Sequence, residues 1–185
     1  MFIAKQLKES NIAEYLLYMW QVEDLIRANG LDIERIKDSI IRPYELDEER
    51  KRELTQWYED LIDMMRREGV AQSGHLQINK NIIILLTDLH LRLLRSPKIP
   101  TYGANYYHVL PYIVEIRARG DRRDVPEIEN CFDALYGVML LKLQKREVSR
   151  ETAAVVAEIS RFIALLAAYY KKEKNGELDE LLADE

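Results

Sequence analysis

Apolar residues recur along most of this chain at spacings of three and four, the period of a helix with one buried face. From Asn11 to Ala28 that face is Ile12, Tyr15, Leu16, Met19, Val22 and Ile26. Asn11 and Glu14 are placed as a capping box, and Asn29-Gly30 is a stop. Glu23 falls in the middle of the same face. A short helix capped by Asp32 carries Ile33, Ile36 and Ile40 and ends at Arg42-Pro43, because a residue before proline is pushed out of the helical region. Asp47, with Glu48 and Glu49 in the first turn, opens a helix whose stripe is Leu54, Trp57, Tyr58, Leu61, Ile62 and Met65 and whose stop is Gly69. The stretch Ile78–Leu94 is different. Its polar side chains gather into the narrow stripe Gln77, Asn81, Asp88, Arg92 and Arg95, and nearly everything else on it is apolar. Such a helix cannot sit on a surface, so the pattern predicts a spine wrapped by its neighbours, with His90 deep and hydrogen-bonded.

Ser96–Pro100 ends the spine, and a tyrosine-rich segment follows with Tyr102, Tyr106, Tyr107 and Tyr112. Pro111 lies inside it and either kinks a helix or starts one. Asp124 and Pro126 open the next helix, with Ile128, Cys131, Phe132, Leu135, Tyr136, Met139 and Leu143 as its stripe. Gly137, on the other side, would permit close approach of a neighbour or is simply a tolerated glycine. The short link Arg146–Ser149 predicts an antiparallel hairpin with a last long helix carrying Val155, Val156, Ile159, Phe162, Ile163, Leu166 and Tyr170. Asn175-Gly176 stops that helix. The fold expected is all-α: an irregular up-and-down bundle of six long helices plus one short helix. It forms a single domain over residues 1–176, followed by an acidic tail, 177–185, with room for one more helical turn. Whether Met1–Ser10 is helical or a loose arm stays open.

Composition bounds the function. With 48% hydrophobic and 32% charged residues the chain is globular in balance, and a net charge of -5 argues against broad nucleic-acid binding. Cys131 is the only cysteine, which excludes an internal disulfide and a thiol-only metal cluster; on a core stripe it reads as an inert hydrophobe. The first residues lack the apolar core of a signal peptide. The longest unbroken apolar run, Phe162–Tyr170, is well short of the roughly 18 residues of a membrane span. The expectation is a cytoplasmic protein with no membrane partner.

Two stretches, NIAEYLLYMWQVEDLIRANG (Asn11–Gly30) and EIENCFDALYGVMLLKLQKREVS (Glu127–Ser149), resemble the bacterial domain-of-unknown-function 4924 family. The resemblance covers most of the chain. It implies an all-helical protein of unassigned function and brings no catalytic or ligand-binding residue.

No glycine-rich phosphate loop, G-x-S-x-G elbow, H-E-x-x-H or EF-hand loop is present. None of His75, His90 and His108 has a glutamate three residues before it, as a ferritin-like di-metal site needs, so no metal or cofactor is expected. What remains are polar residues on apolar faces. A buried Glu23 must be paired, protonated or facing a cavity, and Lys142 or Arg117 could be its partner in a buried ion pair. In the functional version Glu23, Lys142, His90 and Trp20 line a small polar pocket for a ligand or an enzymatic reaction. Asn79 and His90 share one side of the spine but lie about 16 Å apart along it, too far for one site. Arg117, Arg119, Arg122 and Arg123 form either a solvated helix end or an anion-binding patch. The leading expectation is a non-enzymatic helical interaction or scaffold module, with the tyrosine-rich segment as the surface for a second copy or a protein partner.

Overall fold

A computed structural model describes residues 1–119 and 125–182. All regular structure among them is helical: α1 Phe2–Ser10, α2 Ile12–Ala28, α3 Ile33–Ile36 continuing directly into a π turn Lys37–Ile41, α4 Glu48–Arg67 and α5 Gln77–Arg95. After these come α6 Pro100–Arg119, α7 Glu127–Leu143, α8 Arg150–Lys174 and α9 Glu177–Leu182. The chain divides into two compact units. One is Met1–Glu9 with Glu14–Asn81, and the other is Ser10–Ala13 with Ile82–Glu185.

The all-α expectation holds, but six long helices plus one short helix was an undercount. Among the described residues there are eight helical segments of seven residues or more and one short helix, α9. The open N-terminal stretch is α1, only nine residues long, which buries Ala4 and leaves Phe2 and Ile3 exposed. The third segment is longer than a single short helix because of its π turn. That turn inserts one residue, closed by Arg42 N–H donating to Lys37 O at 2.8 Å, and it moves the buried position from the expected Ile40 to Ile41.

In the first unit α4 packs against α3 and its π turn. Capping follows the sequence: Asp32 accepts from the N–H groups of Glu34 and Arg35, and Asp47 from that of Arg50 at 2.8 Å. In the second unit α6, α7 and α8 pack on one another and α9 folds onto α8. Ser149 caps α8 as expected, accepting from Thr152 N–H at 3.1 Å. By length and composition alone α8 could cross a membrane; here Ile159, Phe162, Ile163, Leu166 and Ala167 are buried. Pro111 lies inside α6, neither starting it nor splitting it. The carbonyl four residues back, which a proline leaves without an intrahelical donor, belongs to Tyr107, an exposed residue. Asp124 lies outside the described residues, and Pro126 occupies the N-cap of α7.

The spine expectation is half right. Along α5, Asn79, Ile82, Ile83, Leu86, Leu89, His90 and Leu93 are buried. Ile84 (52% exposed), Leu85 (50%) and Leu91 (42%) are not. The polar stripe runs down the middle of the outward side. At about 100° per residue, Leu85 falls on one margin of that stripe and Ile84 and Leu91 on the other, so they are drawn into solvent with it. Of the two readings of Gly137 the tolerated glycine fits: a Cβ built on it meets no atom within 4 Å, so no neighbour approaches there.

Candidate functional site

The densest polar construction among the described residues lies in the first unit, where α2 holds the loop that leads into α5. Trp20, Glu23 and Arg27 sit three and four residues apart and therefore share one side of α2. Trp20 stacks on His75, ring centroids 4.0 Å apart and planes at 11°. The Glu23 carboxylate, wholly buried, accepts from His75 Nδ1 at 2.6 Å, Leu76 N–H at 2.9 Å and Asn79 Nδ2 at 2.6 Å. Arg27 donates through Nη2 to the carbonyls of Val70 (3.0 Å) and Gly74, while its Nη1 pairs with Asp24 at 2.8 Å. Gly74, at φ +86°, lets the chain turn back where an L side chain would be strained.

Leu76 immediately precedes α5, and its carbonyl accepts from Asn79 and Lys80, so it is the residue at which the helix starts. A helix start carries unsatisfied N–H groups and the positive end of the dipole. Two carboxylates answer it: Glu23 takes Leu76 N–H and Glu68 takes Gln77 N–H at 2.6 Å. With three donors the buried charge of Glu23 is offset on both oxygens. The Nδ1 bond to the carboxylate orients the His75 ring, which keeps a small edge in solvent.

The second unit has its own centre. His90 is buried and is joined to the Tyr102 hydroxyl by a 2.7 Å hydrogen bond. The rings of Tyr106 and Phe162 stand edge-on to it at 4.8 and 5.7 Å. Burial holds the His90 imidazole below its ordinary titration range, with the negative charge of Glu127 opposing the shift. Burial likewise raises the Tyr102 phenol. Tyr106 donates to Glu127 Oε2 at 2.7 Å, and Arg117 approaches the other oxygen at 3.8 Å while donating to Val125 O at 3.2 Å. Cys131 is buried and its thiol is pushed up to about 12 by burial, so it carries no thiolate chemistry at neutral pH.

Trp20 and Glu23 therefore meet, through His75. Glu23 is satisfied by His75, Leu76 and Asn79. Lys142 is exposed in the last turn of α7, and His90 belongs to the other unit with Tyr102 as its partner. Asn79 and His90 serve different partners, as their spacing required. Of the arginine patch, Arg117 is turned to Glu127 and Val125, Arg119 is the last residue of α6, and Arg122 and Arg123 lie outside the described residues. Among the tyrosines of the expected contact segment, Tyr102 and Tyr106 are core, Tyr112 is half-buried and Tyr107 is exposed. Sequence reasoning missed His75. Its signal was present in the unpartnered Glu23 on an apolar face and in a histidine just before a helix start. Among the described residues no group of three or more His, Cys, Asp or Glu is arranged to hold a metal ion.

The chain matches the family described as Domain of unknown function (DUF4924) over residues 1–177. It belongs to that family. The match takes in both units of this DUF4924 protein, from α1 to the first residue of α9. No curated protein and no solved structure matches the chain.

Proposed function

We propose that this DUF4924 protein is a non-enzymatic helical interaction module that associates with a second copy of itself through the outward side of α5. The observation that carries the reading is the half-exposure of Ile84, Leu85 and Leu91 on one helix. Large aliphatic side chains in water are a standing cost that a partner surface removes, at about 25 cal/mol per Å² of apolar area covered. The interior groups best suited to chemistry are engaged inside the fold: Glu23 by three donors, His90 by Tyr102, Glu127 by Tyr106. The tyrosine-rich segment offers less surface, since Tyr102 and Tyr106 are buried.

Sedimentation velocity over a wide concentration range tests this directly. The wild type is expected to shift to a dimer with rising concentration. A variant carrying Ile84→Ser and Leu85→Ser stays monomeric with its helix content intact. A wild type that is monomeric throughout overturns the reading, as does a dimer that the double variant leaves unchanged.

A further inference from the structure

A second feature, independent of α5, lies in the first unit. Residues from α1, α2, α4 and the segment before α4 enclose a cavity of about 260 Å³. Its lining carries three tyrosines, Tyr18, Tyr44 and Tyr58, together with Leu54. Tyr58 is only 4% exposed, yet its hydroxyl makes no hydrogen bond to any described residue, nor do those of Tyr18 and Tyr44. The ring is buried but the hydroxyl is not sealed from solvent, and the open space beside it is the cavity. Burial first, and then the neighbouring phenols Tyr18 and Tyr44, push the Tyr58 phenol above its ordinary range. Burial raises the Tyr18 phenol as well, so these two hydroxyls keep their protons and stand as donors.

At the rim, Arg50 lies over the Phe2 ring at 5.7 Å. Its nearest carboxylate among the described residues is Asp47, at 3.8 Å. Phe2, Ile3 and Tyr44 are all substantially exposed around the mouth, so the entrance is apolar. Among the described residues no aspartate or glutamate lines the space. The lining thus combines an apolar wall, proton-donating hydroxyls and one guanidinium, a set that complements an anionic head on an apolar body. At about 30 Å³ per water the cavity has room for roughly eight waters, which limits the body to a single ring or a short chain.

We propose that this cavity binds a small apolar carboxylic acid, its carboxylate held by Arg50 and the tyrosine hydroxyls and its hydrocarbon part against Leu54 and Phe2. The planar guanidinium matches a carboxylate in two-point contact, and a phenol donating to a charged acceptor makes the stronger kind of hydrogen bond.

Phenylacetate is the probe, titrated into the full chain and followed by amide shifts in nuclear magnetic resonance and by calorimetry. Saturable shifts are expected at residues 2–3, 18, 44, 50, 54 and 58. Tyr58→Phe weakens binding roughly tenfold, and Arg50→Gln by at least as much. Phenylacetamide, the same size without the charge, binds at least tenfold more weakly. Phenethylamine, with the opposite charge, leaves the shifts unmoved. Arg50 is exposed and Tyr58→Phe removes a hydroxyl without a partner, so unchanged thermal melts are expected. The proposal is overturned by an absence of saturable binding or by equal affinity for acid, amide and amine. It is also overturned by affinity unchanged in folded Tyr58→Phe and Arg50→Gln. Phenyl phosphate binding more tightly than phenylacetate would reassign the head group and overturn the carboxylate.

Discussion

Glu23→Ala removes the acceptor that three groups share. Leu76 N–H and Asn79 Nδ2 are wholly buried and would be left without a partner, at about 1–3 kcal/mol each. His75 reaches solvent and recovers a water. The one buried methylene lost with the side chain adds about 0.8 kcal/mol. The expected destabilisation is therefore about 3–7 kcal/mol, a large share of the 5–15 kcal/mol typical of whole domains. Glu23→Gln is a sharper probe, because it keeps the shape. Its carbonyl can still accept from Leu76 and Asn79, and its amide can face His75 if the imidazole presents a lone pair at Nδ1. What disappears is the charge in three hydrogen bonds, offset in part by a smaller desolvation cost, so a loss of about 1–2 kcal/mol is expected.

Urea unfolding followed by helical circular dichroism gives the global values. Amide exchange at Leu76 and Gln77 gives the local one. At 1.4 kcal/mol per factor of ten, exchange at Leu76 should quicken by more than a hundredfold in Glu23→Ala and by about tenfold in Glu23→Gln, if those amides open only with this unit. Alanine costing under 1 kcal/mol, the range of an ordinary surface position, would refute the argument that Glu23 holds the start of α5. So would glutamine costing more than alanine.

His90→Phe strands the Tyr102 hydroxyl in an apolar interior and should cost about 1–3 kcal/mol, most of it regained in the double variant His90→Phe with Tyr102→Phe; a double variant no better than the single one argues against the pairing. The folded state holds His90 below its ordinary 6.5, so the unfolded chain takes up the proton first. Stability therefore falls as pH drops below about 6.5 and levels off under the folded value, by at most about 1.4 kcal/mol per unit; urea midpoints should show this slope reduced in the double variant. Lys145 ends α7 at φ +55°, with its N–H donating to Lys142 O, a position that suits glycine; Lys145→Gly should raise the urea-derived stability by about 0.5–1 kcal/mol, and a fall would mean the lysine side chain is needed there. Gly137→Ala in α7 meets nothing and should add about 1 kcal/mol of helix stability by the same measurement.

Those substitutions also separate what the chain declares locally from what only folding decides. Caps at Asp32, Asp47 and Ser149 were legible because a short polar side chain before an apolar period has one local use, to accept from the first turn. Helices α2, α4, α7 and α8 were legible because each repeats its apolar residues with one period. The periodic signal fails where one residue is inserted, as at the π turn that buries Ile41 in place of Ile40, and where a helix is too short to repeat its period, as in the nine-residue α1. It also misjudges α5, because the width of a polar stripe measures which residues tolerate water, while the width of the exposed arc is set by how much the neighbours cover. Leu85 and Ile84 fall between the two widths, and their exposure is what the proposed self-association would use. For the site, an acid on an apolar face announced that Glu23 must have a partner. Which partner depended on a loop closing back over α2, with Val70 and Gly74 held by Arg27 and His75 laid on Trp20. A loop return of some fifty residues leaves no periodic trace. Composition could therefore name Lys142, Arg117 or His90 as readily as His75, and only the geometry chooses.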